Sequence, residues 1–302
     1  KNLFNLSATY DLNKKLTVGA NVNYSQIKGL GRFGTGYSGK NPNQAFRQWF
    51  QTNVDVLELK DAYFRNKQNV TWNWAFPNKP FSSNYPIYAD NPYWSRYQNY
   101  SNDSRDNFFG YATAMYKIAS WVDFTGRFGY NGTSDLQEER IAYGSQAPGQ
   151  YIRYNRNFNE TNLDLIFNFR KNITKDIHFN GLLGGSMRRS KENSIRASTN
   201  GGLVVPNLFS LENSKNPMEP PTEIYRRIGV DGLYGQASFG YKELVNLELT
   251  ARQDKSTTLP KNNNTYFYPS IGANFVFSEL QGLKNNVGNW LSTGKVSANY
   301  AE

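Results

Sequence analysis

Apolar and polar residues alternate along most of this chain. Phe4, Leu6, Ala8 and Tyr10 are interleaved with Asn5, Ser7 and Thr9, and Leu16, Val18, Ala20, Val22 and Tyr24 with Thr17, Gly19, Asn21 and Asn23. A period of two puts the two sets on opposite faces of a β-strand. The polar run Asp11-Leu12-Asn13-Lys14-Lys15 between them reads as a hairpin connection. The unit recurs. Asn107 to Lys117 leads through Ile118-Ala119-Ser120 into Val122, Phe124, Phe128 and Tyr130, which oppose Asp123, Thr125 and Arg127. Leu163, Leu165, Phe167 and Phe169 oppose Asp164, Asn168 and Arg170, and residues 171–175 turn into Ile177, Phe179, Gly181 and Leu183. Leu233 to Phe239 turns at Tyr241-Lys242-Glu243 into Val245, Leu247, Leu249 and Ala251, whose polar face carries Glu248 and Arg252. A ninth strand holds Phe267, Ile271, Ala273, Phe275 and Phe277, and a tenth begins near Lys295.

Connection lengths alternate as well. Short turns join the members of each pair, and long segments, 27–105, 138–156, 190–229 and 254–263, separate the pairs. Such a rhythm, with strands of about 10 to 14 residues, suits a transmembrane β-barrel, whose strands need about 9 to 11 residues, better than a soluble sandwich with strands of about 5 to 6. The expected fold is all-β: part of an antiparallel membrane barrel, about ten strands of a larger one. Phe4, Leu6, Val18, Val22, Phe124, Phe128, Leu165, Phe167, Leu247 and Phe275 should then face lipid. Asn21, Asp123, Arg127, Asp164, Glu248 and Arg252 should face the lumen. Helical spacing is expected at Gln44–Gln51 and across Ser278–Leu291.

Composition sharpens this picture. Aromatics are 16% of the 302 residues within a hydrophobic total of 38%, so little is left for aliphatic side chains. Aromatic side chains suit pleated surfaces and lipid interfaces. The mean hydropathy of -0.70 and the lack of an 18-residue apolar run exclude membrane helices, but hydropathy does not see barrel strands. With no cysteine there is neither a disulfide framework nor a thiolate metal site. The net charge of +10 is scattered, with no basic run longer than pairs such as Lys14-Lys15, Arg188-Arg189 and Arg226-Arg227, so nucleic acid is not an expected partner.

Candidate chemistry is sparse. Gly34-Thr35-Gly36-Tyr37-Ser38-Gly39-Lys40-Asn41 approaches a phosphate-binding loop. It follows an alternating strand, however, ends in Asn41 where a hydroxyl is needed, and runs into Pro42. A flexible glycine-rich loop is the expectation. His178 is the only histidine, poor material for a triad or a zinc site, and Glu138-Glu139 and Asp254 read as solvated loop charge. No catalytic residue, metal or cofactor is expected. The first long loop is dense in aromatics and carries four of the six Trp residues. Its Trp72, Trp74, Tyr93 and Trp94 are the candidates for stacking on a ligand, against the alternative that they pack the loop or a partner.

Several stretches resemble one family. Asn91-Pro92-Tyr93-Trp94 ahead of a strand, Leu233-Tyr234-Gly235-Gln236, Leu249-Thr250-Ala251-Arg252-Gln253-Asp254, and Tyr268-Pro269-Ser270-Ile271-Gly272-Ala273 are similar to the barrel of the SusC/RagA family of TonB-dependent outer-membrane transporters. Lys255-Ser256-Thr257-Thr258-Leu259-Pro260 departs from the Ser-Ser-aromatic continuation of that family, and Asn274-Phe275 stands where a Trp is common. The resemblance covers essentially the whole chain. It implies a plugged barrel of about 22 strands, a surface lipoprotein lid of the SusD type, energy from the TonB complex, and import of an oligosaccharide or oligopeptide without chemistry on it. Residues 1–302 would form the central barrel segment. The plug and the TonB-contacting segment would lie elsewhere in a longer polypeptide, since the chain begins almost directly in a strand and without a leader. The alternatives are a passive porin or other barrel, and a soluble β-sandwich enzyme or binding module.

Overall fold

A computed structural model describes residues 1–43, 51–76, 78–80, 84–283, 291 and 293–302. The strands are β1 (Asn2–Asp11), β2 (Leu16–Arg32), β3 (Ser101–Ala119), β4 (Val122–Ile141), β5 (Gln150–Asn172), β6 (Ile177–Ser198), β7 (Asn200–Leu203), β8 (Ser214–Asn216), β9 (Thr222–Tyr241), β10 (Val245–Ser256), β11 (Thr265–Phe275) and β12 (Val296–Ala301). Ten of them form one antiparallel sheet in the order β1-β2-β3-β4-β5-β6-β9-β10-β11-β12, while β7 and β8 pair separately within the third long connection. The short turns therefore share one end of the sheet and the long connections the other. Side chains set the turns: Asn13 Oδ1 accepts from the amides of Lys15 and Leu16, and Thr174 Oγ1 from those of Asp176 and Ile177.

The register sorts the sequence into two surfaces. One row runs Leu16, Tyr116, Phe124, Phe167, Leu183, Gly235, Ala251, and the next Tyr10, Val18, Ala114, Gly126, Leu165, Gly185, Leu233. All ten residues expected to face lipid lie on this surface. The six expected in the lumen lie on the other, where Arg127 opposes Asp164 and Arg252 opposes Tyr234. Aromatic neighbours on the apolar surface touch across strands, with ring centroids 5.0 Å apart for Phe124 and Phe167 and 5.1 Å for Phe179 and Phe239. The rows also climb. Leu16 opens β2, whereas Ala251, six pairings along the same row, is the seventh residue of β10. A stagger of about one residue per strand is what tilted strands need to close a barrel.

This sheet has almost no interior. Leu6 and Phe4 are more than half exposed, and few apolar side chains of the described residues are buried. An apolar surface this extensive is exposed stably only where the solvent is itself apolar.

The strands outrun the sequence expectation. β4, β5 and β6 have 20, 23 and 22 residues, and the long connections shrink to 33–100, 142–149, 199–221 and 257–264. The expectation ended strands where apolar alternation ends. Beyond that point, cross-strand ion pairs such as Arg156–Glu192, at 2.7 Å, and amide ladders hold the pairing instead. The β7–β8 hairpin was likewise not anticipated. The helix expected at Gln44–Gln51 lies outside the described residues except for Gln51. Of the Ser278–Leu291 expectation, Ser278 and Glu279 fall in a short 3-10 turn and 281–283 are helical, while 284–290 lie outside the described residues.

In the full-length barrel, Leu165→Arg on the apolar surface should cost about 2–4 kcal/mol near the bilayer midplane. Ile166→Arg, one residue on and facing the other way, should cost clearly less. Urea unfolding in lipid vesicles measures both, and equal costs would contradict the assignment of faces.

Candidate functional site

The polar surface is concave. A trough of about 830 Å³ runs along it, lined among others by Asn21, Arg127, Asp164, Arg188, Tyr234 and Arg252. Its charges are matched strand to strand. Arg127 donates from Nε and Nη2 to Asp164 Oδ2 at 2.9 and 2.8 Å, Arg188 from Nε to Glu160 at 2.7 Å, and Arg170 from Nη2 to Asp123 at 2.6 Å. Tyr234 lies flat across Gly184, where a Cβ would meet its ring at 2.5 Å, and the Arg252 guanidinium sits 5.1 Å from the ring centre. Nearer the long loops, Arg105, Asp135, Arg156, Glu192 and Arg226 form a chain of alternating sign across five strands. Asp135, buried between two guanidiniums, is satisfied from both sides. The wall thus offers many hydrogen-bonding groups and little net charge.

The described residues of the 33–100 connection build a compact cap at the long-loop end. Helix α1 (Val56–Asn66) starts at Asp55, whose side chain accepts from the amide of Leu57, and ends at Lys67 in the left-handed conformation. Helix α2 (Pro92–Gln98) starts at Asn91, whose side chain accepts from the amide of Tyr93, with Pro92 in its first turn. Neither helix was expected. Asp55 with Glu58 three residues on, and Asn91 followed by proline, are start signals that could have found them. A bulge in β2 ties α2 to the wall. Gly31 adopts φ +62 there, its amide donates to Asn102 Oδ1 at 2.9 Å, and its carbonyl accepts from Arg96 Nη1 at 2.8 Å.

Buried amides hold the cap together. Asn91 is fully buried, and its Nδ2 donates to the carbonyls of Leu59 and Val70, both at 2.8 Å. Asn73 Oδ1 accepts from the amides of Tyr88 and Ala89. Asn69 and Asn99 converge on Asp90, which also accepts from the amide of Gln146 at 2.6 Å. Burial pushes the Asp90 carboxyl above the ordinary aspartate range, against the pull of these three donors. The apolar centre of the cap is Tyr63, Trp94 and Ala142, with Tyr93 and Phe209 packed on it.

The four candidate aromatics are spread through this cap. Trp94 is buried, and its Nε1 donates to Ser145 Oγ at 2.8 Å, which gives it a packing role. Tyr93 is half-buried, 6.0 Å from Phe64 between ring centres. Trp74 is half-buried and bridges to Pro86. Trp72 is half-buried and lines a groove of about 540 Å³ beside Asp55, Glu58, Asp61 and Arg65 of the α1 region. Other cap aromatics are more exposed, among them Tyr88, Tyr85 and Phe76 around the Trp74–Pro86 bridge, and Phe64 and Tyr97 on the helices. Which aromatics emerge depends on the amide network folding the segment, and no local spacing announces it.

The remaining motifs find partners. Lys40 of the glycine-rich loop is ion-paired with Glu139, and that loop is closed by the amide of Gly34 donating to the carbonyl of Lys40. Glu138, Glu139 and Asp254 are not loop charges. They lie in β4 and β10, Glu138 accepts from Tyr151 Oη at 2.5 Å, and Asp254 pairs with Arg252 at 2.8 Å. His178 is on the polar surface by a short turn, 2.8 Å from Asn172 Oδ1.

A tilted, staggered antiparallel sheet with one apolar and one concave, ion-paired surface defines the wall of an outer-membrane β-barrel. Solved structures agree on the fold. The chain is similar to the RagAB peptide transporter, with a TM-score of 0.76 and 15% identity, over 98% of this chain and 32% of that one. It is also similar to the same importer in its "open-open" state, with a TM-score of 0.72, 15% identity, and coverage of 99% and 32%. Against BauA, the ferric preacinetobactin receptor from Acinetobacter baumannii, the TM-score is 0.50 at 11% identity, over 90% of this chain and 37% of that one. The chain thus spans about a third of the length of these structures, which are transporters and receptors, not enzymes. No protein-family profile matches the sequence, and no curated protein matches it significantly.

Asn91→Ala should open the cap while leaving the barrel folded, because each buried group left unpaired costs about 1–3 kcal/mol. Faster hydrogen exchange confined to the cap is the expected result, and unchanged exchange there would refute the role given to the amide network.

Asp90 gives a pH dependence. Its raised pKa means the folded cap holds the proton more tightly than the open one. That contribution is fully present below the ordinary aspartate pKa and is lost as pH rises through the raised value. The denaturant midpoint of cap opening, followed by tryptophan fluorescence, should fall across that window relative to Asp90→Asn. A constant difference between the two proteins would rule this out.

Proposed function

We propose that the chain is the central barrel segment of a TonB-dependent transporter that imports a nutrient, an oligopeptide or an oligosaccharide, across the bacterial outer membrane. The observation carrying this reading is the pairing of a continuous apolar surface with a concave ion-paired one on a single staggered sheet. The likeness to the RagAB peptide transporter favours the peptide side. Among the described residues the sheet's two end strands, β1 and β12, each have a neighbour on one side only, and bilayer hydrocarbon supplies no partner for such edges. Further strands of the same polypeptide would complete them, and a plug belonging to that polypeptide would fill the lumen. The charge-matched wall suits such a plug, since hydrogen bonds without a strong field let a domain be held and moved.

The cap would stand on the cell surface, against a lid lipoprotein of the SusD type and within reach of ligand. Trp72, Trp74 and Tyr93 are half-buried, and the exposed part of each would contact a sugar ring or a peptide. Trp94 would hold them in place. The protein would span the membrane many times by strands and perform no chemistry on its cargo.

Uptake of labelled oligopeptides and oligosaccharides by cells carrying the full-length protein tests the activity. Uptake should stop when TonB is removed, whereas a passive porin would continue. Alanine replacement of Trp72, Trp74 or Tyr93 should weaken ligand binding by about 0.5–1.5 kcal/mol, the worth of an aromatic contact. Unchanged affinity together with loss of lid association would assign them to the partner interface instead.

A further inference from the structure

Directly beyond the apolar band, towards the long loops, the outward surface becomes basic. On β6 the outward series runs Ile177, Phe179, Gly181, Leu183, Gly185, Met187, then Arg189 and Lys191. On β9 its neighbour passes from Leu233 to Asp231, Gly229 and Arg227. Lys191 and Arg227 are opposite each other in the ladder. Like charges so placed repel, and among the described residues neither belongs to an ion pair. Both lie instead against the exposed ring of Tyr225, at 5.4 and 5.1 Å from its centre. Arg189 is held to Asp231 at 2.7 Å, and Lys255 stands opposite that same carboxylate. Four cations thus face one anion.

Arg189, Lys191 and Arg227 border a groove of about 550 Å³, with Thr257 on its far side. Its floor is Gly229, where a Cβ would meet Arg189 Cδ at 3.4 Å and Thr257 Cγ2 at 3.3 Å. The Gly229 amide donates to Thr257 Oγ1 at 2.8 Å, and the Thr257 amide donates to the Gly229 carbonyl at 2.9 Å, so the hydroxyl is fixed at the edge. Below the groove on the same outward surface are Leu163, Met187 and Leu233, all well exposed.

We propose that this groove binds the phosphate of a phosphorylated lipid in the outer leaflet. The proposal rests on the reading of the chain as an outer-membrane barrel. The surface is complementary to an amphiphile: acyl chains lie on Leu163, Met187 and Leu233, and the headgroup phosphate is received by Lys191, Arg227 and Arg189. A soluble anion would use only the upper half. Bound phosphate also removes the repulsion between Lys191 and Arg227, so the lipid stabilises the pairing of β6 with β9 where it leaves the membrane.

The test uses the full-length protein in phosphatidylcholine nanodiscs doped with lipid A, either phosphorylated or dephosphorylated, with retained lipid read by native mass spectrometry. The wild-type protein should retain the phosphorylated form about tenfold or more over the dephosphorylated form, as two cations at an anionic lipid surface would give. The preference should vanish in K191Q/R227Q and survive in K191R/R227K, which keeps both charges. Inorganic phosphate should not displace the lipid. No preference in the inserted wild-type protein, an unchanged preference in K191Q/R227Q, or displacement by inorganic phosphate would each overturn the lipid site. A protein that does not insert into nanodiscs would overturn the barrel reading and the lipid site with it.

Discussion

Hydrocarbon offers no partner to a peptide group. Each unpaired amide or carbonyl within it costs several kcal/mol, and the rest of the structure follows from avoiding that cost. Within the ten-stranded sheet each inner strand pairs on both sides, neighbours run antiparallel, and the connections between them lie at one end of the sheet or the other. With the backbone satisfied inside the sheet, side chains choose between two environments. A period of two is the only pattern that serves both.

The cap solves the same problem by other means. It lies above the sheet in short helices and irregular backbone, where, among the described residues, ladder pairing is confined to the neighbourhood of the Trp74–Pro86 bridge. Side-chain amides substitute for it elsewhere. Asn69, Asn73 and Asn99 each join segments distant in sequence through both ends of the carboxamide, and Asn91 does so through its NH2 group while its oxygen caps α2. A carboxamide carries donor and acceptor together and no charge, so it can be buried at little cost once both are used. The abundance of asparagine in the chain has here a structural reason.

The membrane part was legible in the sequence because lipid imposes its pattern residue by residue. Phe4 and Phe275 could be assigned to a face from their neighbours alone. Two things were not legible. The strands continue past the end of the apolar alternation, as at Arg189 and Lys191, because pairing there rests on partners across the sheet and not on solvent. The cap aromatics were visible as an inventory but not as an arrangement. Trp94 and Trp72 look alike in sequence, yet Ser145, brought in from another connection, takes up the Trp94 indole and leaves Trp72 at a groove.

The stagger of the sheet makes membrane depth a diagonal quantity. Residues paired in one row do not share a level. Leu16 lies at the turn end of β2, while its row-mate Ala251 is well up β10. A contour of constant depth therefore steps back about one residue with each strand. Two substitutions on one hydrogen-bonded row sample different polarity, and two on one contour sample the same polarity without touching the same partners. The outward surface works as a screw thread: sliding one strand by a single pairing would turn its faces over, and sliding it by two would shift its outward aromatic residues off their level. Register, more than the bulk of any one side chain, is what keeps this wall level with its membrane.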